Sequence, residues 1–409
     1  MLQRPIFQQT EFQQTDRPSS VIAIYLDSLQ GYGADKILLK IANGLVHRGL
    51  KVDLILSKAS ERTMLEVDPS IRIINLRGSR FTPIKNTLAL SAYLKRRQPD
   101  VLFSSIHFNN FFATLALALS RIKCKLILRQ ANTLQEQLKD YSKVISQVLH
   151  PLTYLAYKRA DLVVSQCSAM VSDLTEFMKV DEAKIKVIYN PTITADIAEK
   201  SRDAVNHKWL TGQRQYPVIL SVGRLKPQKD FETLLKAFQK LKKHYSDDAK
   251  LIILGEGPLR EHLEELAVKL NIQNDVDLIG FRPNPFAFIS ATDIYVSSSR
   301  YEGLPNTLIE ALSLGKRVVA TACQGGTAEI LKYGKYGRLV PVSSPDVMAK
   351  SIAEALMSPN LVGPEATKDF DYETQVYKYY SMFLQVLEPP KEMQRYATLS
   401  SEAAKVTVH

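Results

Sequence analysis

The sequence predicts an α/β protein built from two doubly wound parallel sheets that face each other across a cleft. Three observations carry this. The 409 residues exceed the size at which one hydrophobic core stops growing. Short β-branched runs alternate with helical periodicity, which is how a parallel sheet covered on both faces is written. The whole series then breaks at a polar stretch and starts again.

Residues 1–19 are rich in glutamine (Gln3, Gln8, Gln9, Gln13, Gln14) and read as a flexible segment. The first domain, residues 20–195, reads as strands at Val21–Leu26, Val52–Leu56, Ile71–Leu76, Val101–Ser104, Leu126–Leu128, Leu162–Val164 and Val187–Tyr189. Asn190-Pro191 interrupts regular structure and Tyr216-Pro217 leads into the next strand, so residues 196–215 read as the linker. The second domain, residues 216–370, repeats the pattern at Val218–Val222, Leu251–Leu254, Val276–Ile279, Ile294–Ser297, Val318–Ala320 and Leu339–Val340. Between its first two strands, Phe231, Leu234, Leu235, Phe238 and Leu241 share one face of a helix over Phe231–Tyr245. Asp371–Leu387 reads as a last amphipathic helix, and residues 388–409, with Pro389-Pro390 and small polar residues, as a flexible tail. Both domains are thus expected to be Rossmann-like.

Composition excludes several classes. Hydrophobic residues at 45% and charged residues at 23% are ordinary globular values, which argues against disorder. Cys124, Cys167 and Cys323 are far apart, which argues against a zinc site or a disulfide framework and fits a reducing compartment. The N-terminus lacks the apolar stretch of a signal peptide, and the longest apolar run, Phe111–Leu119, is too short to span a bilayer, so a soluble cytoplasmic protein is expected. The net charge of +11 is unevenly placed, with about 29 Lys and Arg against about 19 Asp and Glu in residues 1–211.

In open α/β sheets, ligands bind beyond the carboxyl ends of the strands. After Val218–Val222 comes Gly223-Arg224-Leu225-Lys226-Pro227-Gln228-Lys229, a glycine and two cations five residues apart, followed by a helix start. The fork of Arg224 and the point charge of Lys229 suit one diphosphate. After Ile294–Ser297, Glu302 and Glu310 bracket a turn and a helix start, and carboxylates so held accept hydrogen bonds from vicinal hydroxyls. The amides of Asn306, Thr307 and Leu308 are placed to face an anion. Asp275-Val276-Asp277 and Asp369-Phe370-Asp371 have a metal-binding spacing, but one leads into a strand and the other into a helix, and both read as incidental. As a dinucleotide fingerprint, Gly31-Tyr32-Gly33-Ala34-Asp35-Lys36 lacks its third glycine, which disfavours an NAD enzyme.

The segment from Glu302 to Glu310 resembles the E-x7-E signature of a large retaining glycosyltransferase family of GT-B fold, which includes sucrose synthase-like and lipopolysaccharide or glycolipid sugar transferases. The likeness covers roughly residues 20–387. It implies that Glu302 contacts the donor sugar, that Glu310 holds the nucleotide ribose, and that Arg224 and Lys229 grip the donor diphosphate. The loop Gly31-Tyr32-Gly33-Ala34-Asp35 is similar to the family's G-G-A-E loop beside the donor phosphate, departing from it at Tyr32 and Asp35. His107 matches a histidine near the donor sugar's outer hydroxyls. Gly255-Glu256-Gly257 matches a turn where backbone approaches the base, and Glu329 lies in a segment that supplies a carboxylate or amides near the donor.

The resemblance implies transfer of a hexose or N-acetylhexosamine from a nucleotide-sugar, a UDP-sugar by likeness, to a glycan or lipid-linked acceptor, without cofactor or metal. The positive excess of the first domain suggests peripheral docking on the anionic inner face of the cytoplasmic membrane. No recognition motif accompanies that charge, so nucleic acid is not expected. A nucleotide-sugar epimerase of the same fold and a non-catalytic sugar-nucleotide-binding partner are the alternatives, the first marked by release of free epimerised sugar.

Overall fold

The computed structural model describes residues 20–28, 33–58, 66–76, 83–139, 142–358 and 362–387. The first sheet holds β1 (Val21–Ser28), β2 (Lys51–Lys58), β3 (Arg72–Asn75), β4 (Val101–Ser105), β5 (Lys125–Gln130), β6 (Leu162–Ser165) and β7 (Ile185–Val187). They lie in the order β3-β2-β1-β4-β5-β6-β7, and every pair is parallel. The second sheet holds β8 (Val218–Val222), β9 (Lys250–Leu254), β10 (Val276–Gly280), β11 (Ile294–Ser297), β12 (Arg317–Thr321) and β13 (Arg338–Val340), also all parallel, in the order β10-β9-β8-β11-β12-β13.

A parallel strand covered on both faces must be apolar almost throughout, and β4 is buried at all five positions. Each sheet separates two cores. One side of the first sheet packs Ile22, Ile24, Leu26 and Phe103 on the helix Gly33–Val46, and the other packs Ala23, Tyr25 and Leu102 on Leu90, Ala113 and Tyr157. In the second domain Phe231, Leu234, Leu235, Phe238 and Leu241 are all buried from the helix Phe231–His244. Each such side chain contributes roughly 1.5–3 kcal/mol by leaving water.

The strand order reverses between β1 and β4 and again between β8 and β11. These two switch points are where crevices open at the carboxyl ends of the strands. The loops after these four strands bring in, among the described residues, Gly33, His107, Gly223–Lys229 and Ser298–Glu302.

One strand departs from the sequence reading. Its apolar run points to Val187–Tyr189, but pairing with β6 covers Ile185–Val187. Tyr189 lies beyond the paired residues, and its hydroxyl donates to Glu329, as described below. The last helix, Tyr372–Leu387, returns to the first domain, where Tyr379 and Phe383 pack on Phe103 with ring centroids 6.2 and 5.4 Å apart. The outgoing and returning segments run side by side, with Ile193 bridging Asp371 and the amides of Thr192 and Ile193 donating to the Phe370 carbonyl. Among the described residues no helix is long and apolar enough to cross a membrane. Residues 1–19 and 388–409, Gly31 and Tyr32 lie outside the described residues.

Candidate active site

The second domain builds its half of the site from three tightly packed loops. A Cβ at Gly255, where φ is +144°, would lie 1.9 Å from the Gly223 carbonyl oxygen, and one at Gly257 would lie 2.3 Å from that of Leu225. Only glycine allows this contact, which the Leu225 amide completes by donating to the Glu256 carbonyl at 3.0 Å. The triplet Gly255-Glu256-Gly257 thus braces the loop that carries Arg224, while the Glu256 side chain itself is exposed. Gly223 leaves room for the methylene stem of Lys229, whose carbons would stand 3.3 Å from a Cβ there.

That stem aims the ammonium across the switch point. Lys229 Nζ donates to Glu302 Oε1 at 2.5 Å, and Ser299 Oγ donates to the same oxygen at 2.6 Å. Glu302 is 5% exposed and Arg224 half-buried. The Lys229 carbonyl accepts from Ser298 Oγ, and Gln228 Nε2 donates to the Tyr301 carbonyl, so the two motif loops move as one unit. The sequence reading pairs Lys229 with Arg224; the structure adds a direct ion pair between Lys229 and Glu302.

The helix Asn306–Ser313 begins after Pro305 in extended backbone, a short way along the chain from Glu302. Of the three amides expected to face an anion, that of Leu308 donates to the Pro305 carbonyl at 3.2 Å, and the Leu308 side chain is fully buried in the core. The Thr307 hydroxyl is hydrogen-bonded to the Tyr295 hydroxyl at 2.8 Å. One turn further on, withdrawal from water pushes the Glu310 carboxyl above its usual range, and the fields of Lys40 and Lys36 on the helix Gly33–Val46 partly offset this. Lys40 is pushed down by burial and donates to the Thr192 carbonyl at 2.8 Å.

From the first domain, Gly33 faces Asn306, with 3.5 Å between its Cβ position and Asn306 Nδ2. Asn306 Oδ1 accepts from Asn190 Nδ2 at 2.8 Å and from Thr192 Oγ1 at 3.1 Å. Asn190 Oδ1 in turn accepts from Arg129 Nη2 at 2.6 Å. Arg129 is 1% exposed and also donates to Ser105 Oγ and the Tyr379 hydroxyl. Sequence reasoning misses this chain from β5 through the crossing segment to the helix Asn306–Ser313. Its one local signal is an arginine directly after the apolar run Leu126–Leu128.

His107 is 3% exposed at the end of β4. Its Nε2 is hydrogen-bonded to Thr153 Oγ1 at 2.6 Å, and its Nδ1 has no partner among the described residues. The ring is therefore tied to the helix that carries Thr153 rather than to Lys229, Glu302 or Asn306. Burial lowers its pKa from 6.5 to about 4, so the ring is neutral at physiological pH. Below pH 6.5 the unfolded chain binds this proton first, and stability therefore falls between pH 6.5 and 4 and is flat in this respect outside that window. The expected contribution is roughly 3 kcal/mol, measured as the difference in denaturant unfolding between wild type and His107→Gln across that range. Equal pH slopes for the two proteins would contradict the buried neutral ring.

Glu329, which the resemblance puts in a segment near the donor, is held at the boundary of the two domains. Both of its carboxylate oxygens accept across the domain boundary: from the Ser168 amide at 2.9 Å, the Ser168 hydroxyl at 3.1 Å, the Ala169 amide at 3.3 Å and the Tyr189 hydroxyl at 2.5 Å. The carboxylate pins the two domains together. The aspartates of the two D-x-D tripeptides likewise have partners in the fold: Asp275 pairs with Lys242 and Lys250, Asp277 with His207, Asp369 with Lys332, and Asp371 accepts from the Thr374 amide.

The fold defines a two-domain α/β protein with a switch point in each parallel sheet. Comparison with known proteins gives its family. Residues 32–196 match the model of Glycosyltransferase Family 4, and residues 206–375 match that of Glycosyl transferases group 1. The chain is 30% identical over 347 residues to an uncharacterized glycosyltransferase of Methanocaldococcus jannaschii, covering 75% of this chain and 84% of the relative. It is 26% identical over 346 residues to the N-acetylgalactosamine-N,N'-diacetylbacillosaminyl-diphospho-undecaprenol 4-alpha-N-acetylgalactosaminyltransferase of Campylobacter jejuni, covering 82% of this chain and 90% of that one. Among solved structures, Anabaena HepE in complex with UDP-glucose has a TM-score of 0.70 at 18% identity, covering 89% of this chain and 99% of that chain. The protein belongs to the group 1 glycosyltransferases, and its architecture is the GT-B fold.

Proposed function

We propose that this glycosyltransferase moves a hexose or N-acetylhexosamine from a UDP-sugar to a glycan or lipid-linked acceptor, with retention of anomeric configuration. The observation that carries the reading is the Lys229–Glu302 pair at 2.5 Å, which joins the loop that holds Arg224 to the loop that leads into the helix Asn306–Ser313. A nucleoside diphosphate gains negative charge as the glycosidic bond breaks, and cations such as Arg224 and Lys229 with free helix-start amides are the groups suited to hold that charge. Glu302 meets a donor-sugar hydroxyl, Glu310 the ribose, and the donor phosphate oxygen takes the acceptor proton on the front face. The undecaprenol-linked acceptor named for the Campylobacter relative and the UDP-glucose named for the Anabaena fold neighbour support this choice of substrates.

In this reading Arg224 and Lys229 hold the leaving-group charge without a metal, so chelation is expected to leave turnover unchanged. The donor is tested by thermal stabilisation with UDP, GDP, ADP and their sugars. A ligand at one hundred times its dissociation constant adds about 2.7 kcal/mol. We expect UDP and its sugar to raise the melting temperature and Lys229→Ala to abolish the rise. A shift with GDP or ADP alone would overturn the donor assignment, no shift with any nucleotide would overturn the nucleotide-sugar reading, and a shift without transfer would favour a silent binding partner. An inverted product anomer would overturn retention.

A further inference from the structure

Arg129 is buried, yet its side-chain partners are all neutral: the Tyr379 hydroxyl accepts from Nε at 3.1 Å, Ser105 Oγ from Nη1 at 2.9 Å and Asn190 Oδ1 from Nη2 at 2.6 Å. A buried charge without a carboxylate is costly to fold. What it does here is remove a choice. The two ends of an asparagine amide have nearly the same shape, and their partners decide which one points where. A guanidinium can only donate, so Asn190 must turn Oδ1 to Arg129 and Nδ2 away from it. That Nδ2 donates to Asn306 at 2.8 Å, so the atom of Asn306 facing it must be Oδ1. Thr192 Oγ1, 3.1 Å from the same oxygen, does not set this order, because a hydroxyl can donate or accept. Asn306 Nδ2 is thereby turned to the other side, where it lies 3.5 Å from the Cβ position of Gly33. Among the described residues it has no acceptor. Gly33 and Asn306 each begin a helix, one from each domain.

We propose that Arg129 is a positioning residue for sugar transfer: acting through Asn190, it holds the Asn306 side chain with its N–H turned to a phosphate oxygen of the bound nucleotide. The proposal rests on the nucleotide-sugar reading above, but not on which base or sugar is carried. Without Arg129, Asn190 and Asn306 would both be free to invert, and Asn306 would then show its carbonyl oxygen to the phosphate and repel it. Arg129 stands on β5 of the first domain and Asn306 in the second, so the contact also depends on the two domains being in register.

The test inverts this order without deleting it. In Asn190→Asp one carboxylate oxygen still accepts from Arg129, now as an ion pair, and the other can only accept, so Asn306 must turn Nδ2 toward it and Oδ1 to the ligand. We expect this variant to melt at or above the wild-type temperature, and to bind UDP about tenfold or more weakly by calorimetry, the range of one lost hydrogen bond to a charged group. The substitution also adds a charge, so it is repeated in an Asn306→Ala background, which has no amide to invert. There Asn190→Asp should cost no further affinity. Unchanged UDP affinity in Asn190→Asp, or an equal loss in both backgrounds, would overturn the proposal. A melting temperature below that of the wild type would contradict the hydrogen bond from Arg129 on which the argument turns. A wild type that binds no nucleoside diphosphate would instead overturn the nucleotide-sugar reading, and the proposal with it.

Discussion

Lys229→Ala is expected to lower turnover by about two to three powers of ten at saturating donor, the loss seen when one preorganised contact to a developing oxyanion is removed. The argument rests on the position of the ammonium, held against Glu302 at 2.5 Å by a stem that packs over Gly223. The substitution also leaves Glu302, 5% exposed, without its cation, so some loss of stability accompanies the loss of rate. The two effects separate in a double variant. Glu302→Gln in the Lys229→Ala background removes the unpaired charge and should recover melting temperature while leaving turnover low. Recovery of turnover in that double variant would mean that Lys229 acts only by neutralising Glu302, and near-wild-type turnover in Lys229→Ala would remove the clamp altogether.

The fold was readable where burial imposes a pattern. Strands such as β1, β4 and β8 are covered on both faces and must be apolar nearly throughout, so their positions follow from composition alone. The edge strand β7 pairs with one neighbour and is only partly buried, and there the apolar run misplaces it by two residues. The last helix shows its amphipathic face in the sequence, but periodicity does not say which domain receives Tyr379 and Phe383.

The site divides the same way. Gly223, Arg224, Lys229, Glu302 and Glu310 stand in or just beyond loops that follow strands, so local spacing finds them. The chain Arg129, Asn190, Asn306 joins three elements through single side-chain hydrogen bonds, which leave no period in a sequence. Glu329 shows the converse. Its neighbouring glycines suggest a ligand loop, but its partners Ser168 and Tyr189 lie some 140 or more positions earlier, and only the tertiary structure supplies them.

The second large effect is expected at Gly303, where the two domains meet. A Cβ there would lie 2.1 Å from the carbonyl oxygen and 2.9 Å from the carbonyl carbon of Ala131, in the loop that follows β5. The obstacle is backbone, so no rotamer relieves it, and the Gly303 carbonyl is itself held by the Gly326 amide at 2.7 Å and approached by Cys167 Sγ at 3.6 Å. Gly303→Ala must therefore separate the domains by about an ångström at this point. A displacement of that size at a reacting centre can cost about a hundredfold in rate. In the proposed reading the nucleotide is held by loops of the second domain, so kcat should fall about a hundredfold while stabilisation by UDP persists. Gly325→Ala serves as the contrast. Its φ of +114° and the Glu302 carbonyl 2.1 Å from its Cβ position place the strain inside the donor loop, so nucleotide binding should be lost there as well. Unchanged kcat in Gly303→Ala would mean that the contact with Ala131 is not maintained during turnover. Loss of UDP stabilisation in that variant would mean that the first domain completes the nucleotide site.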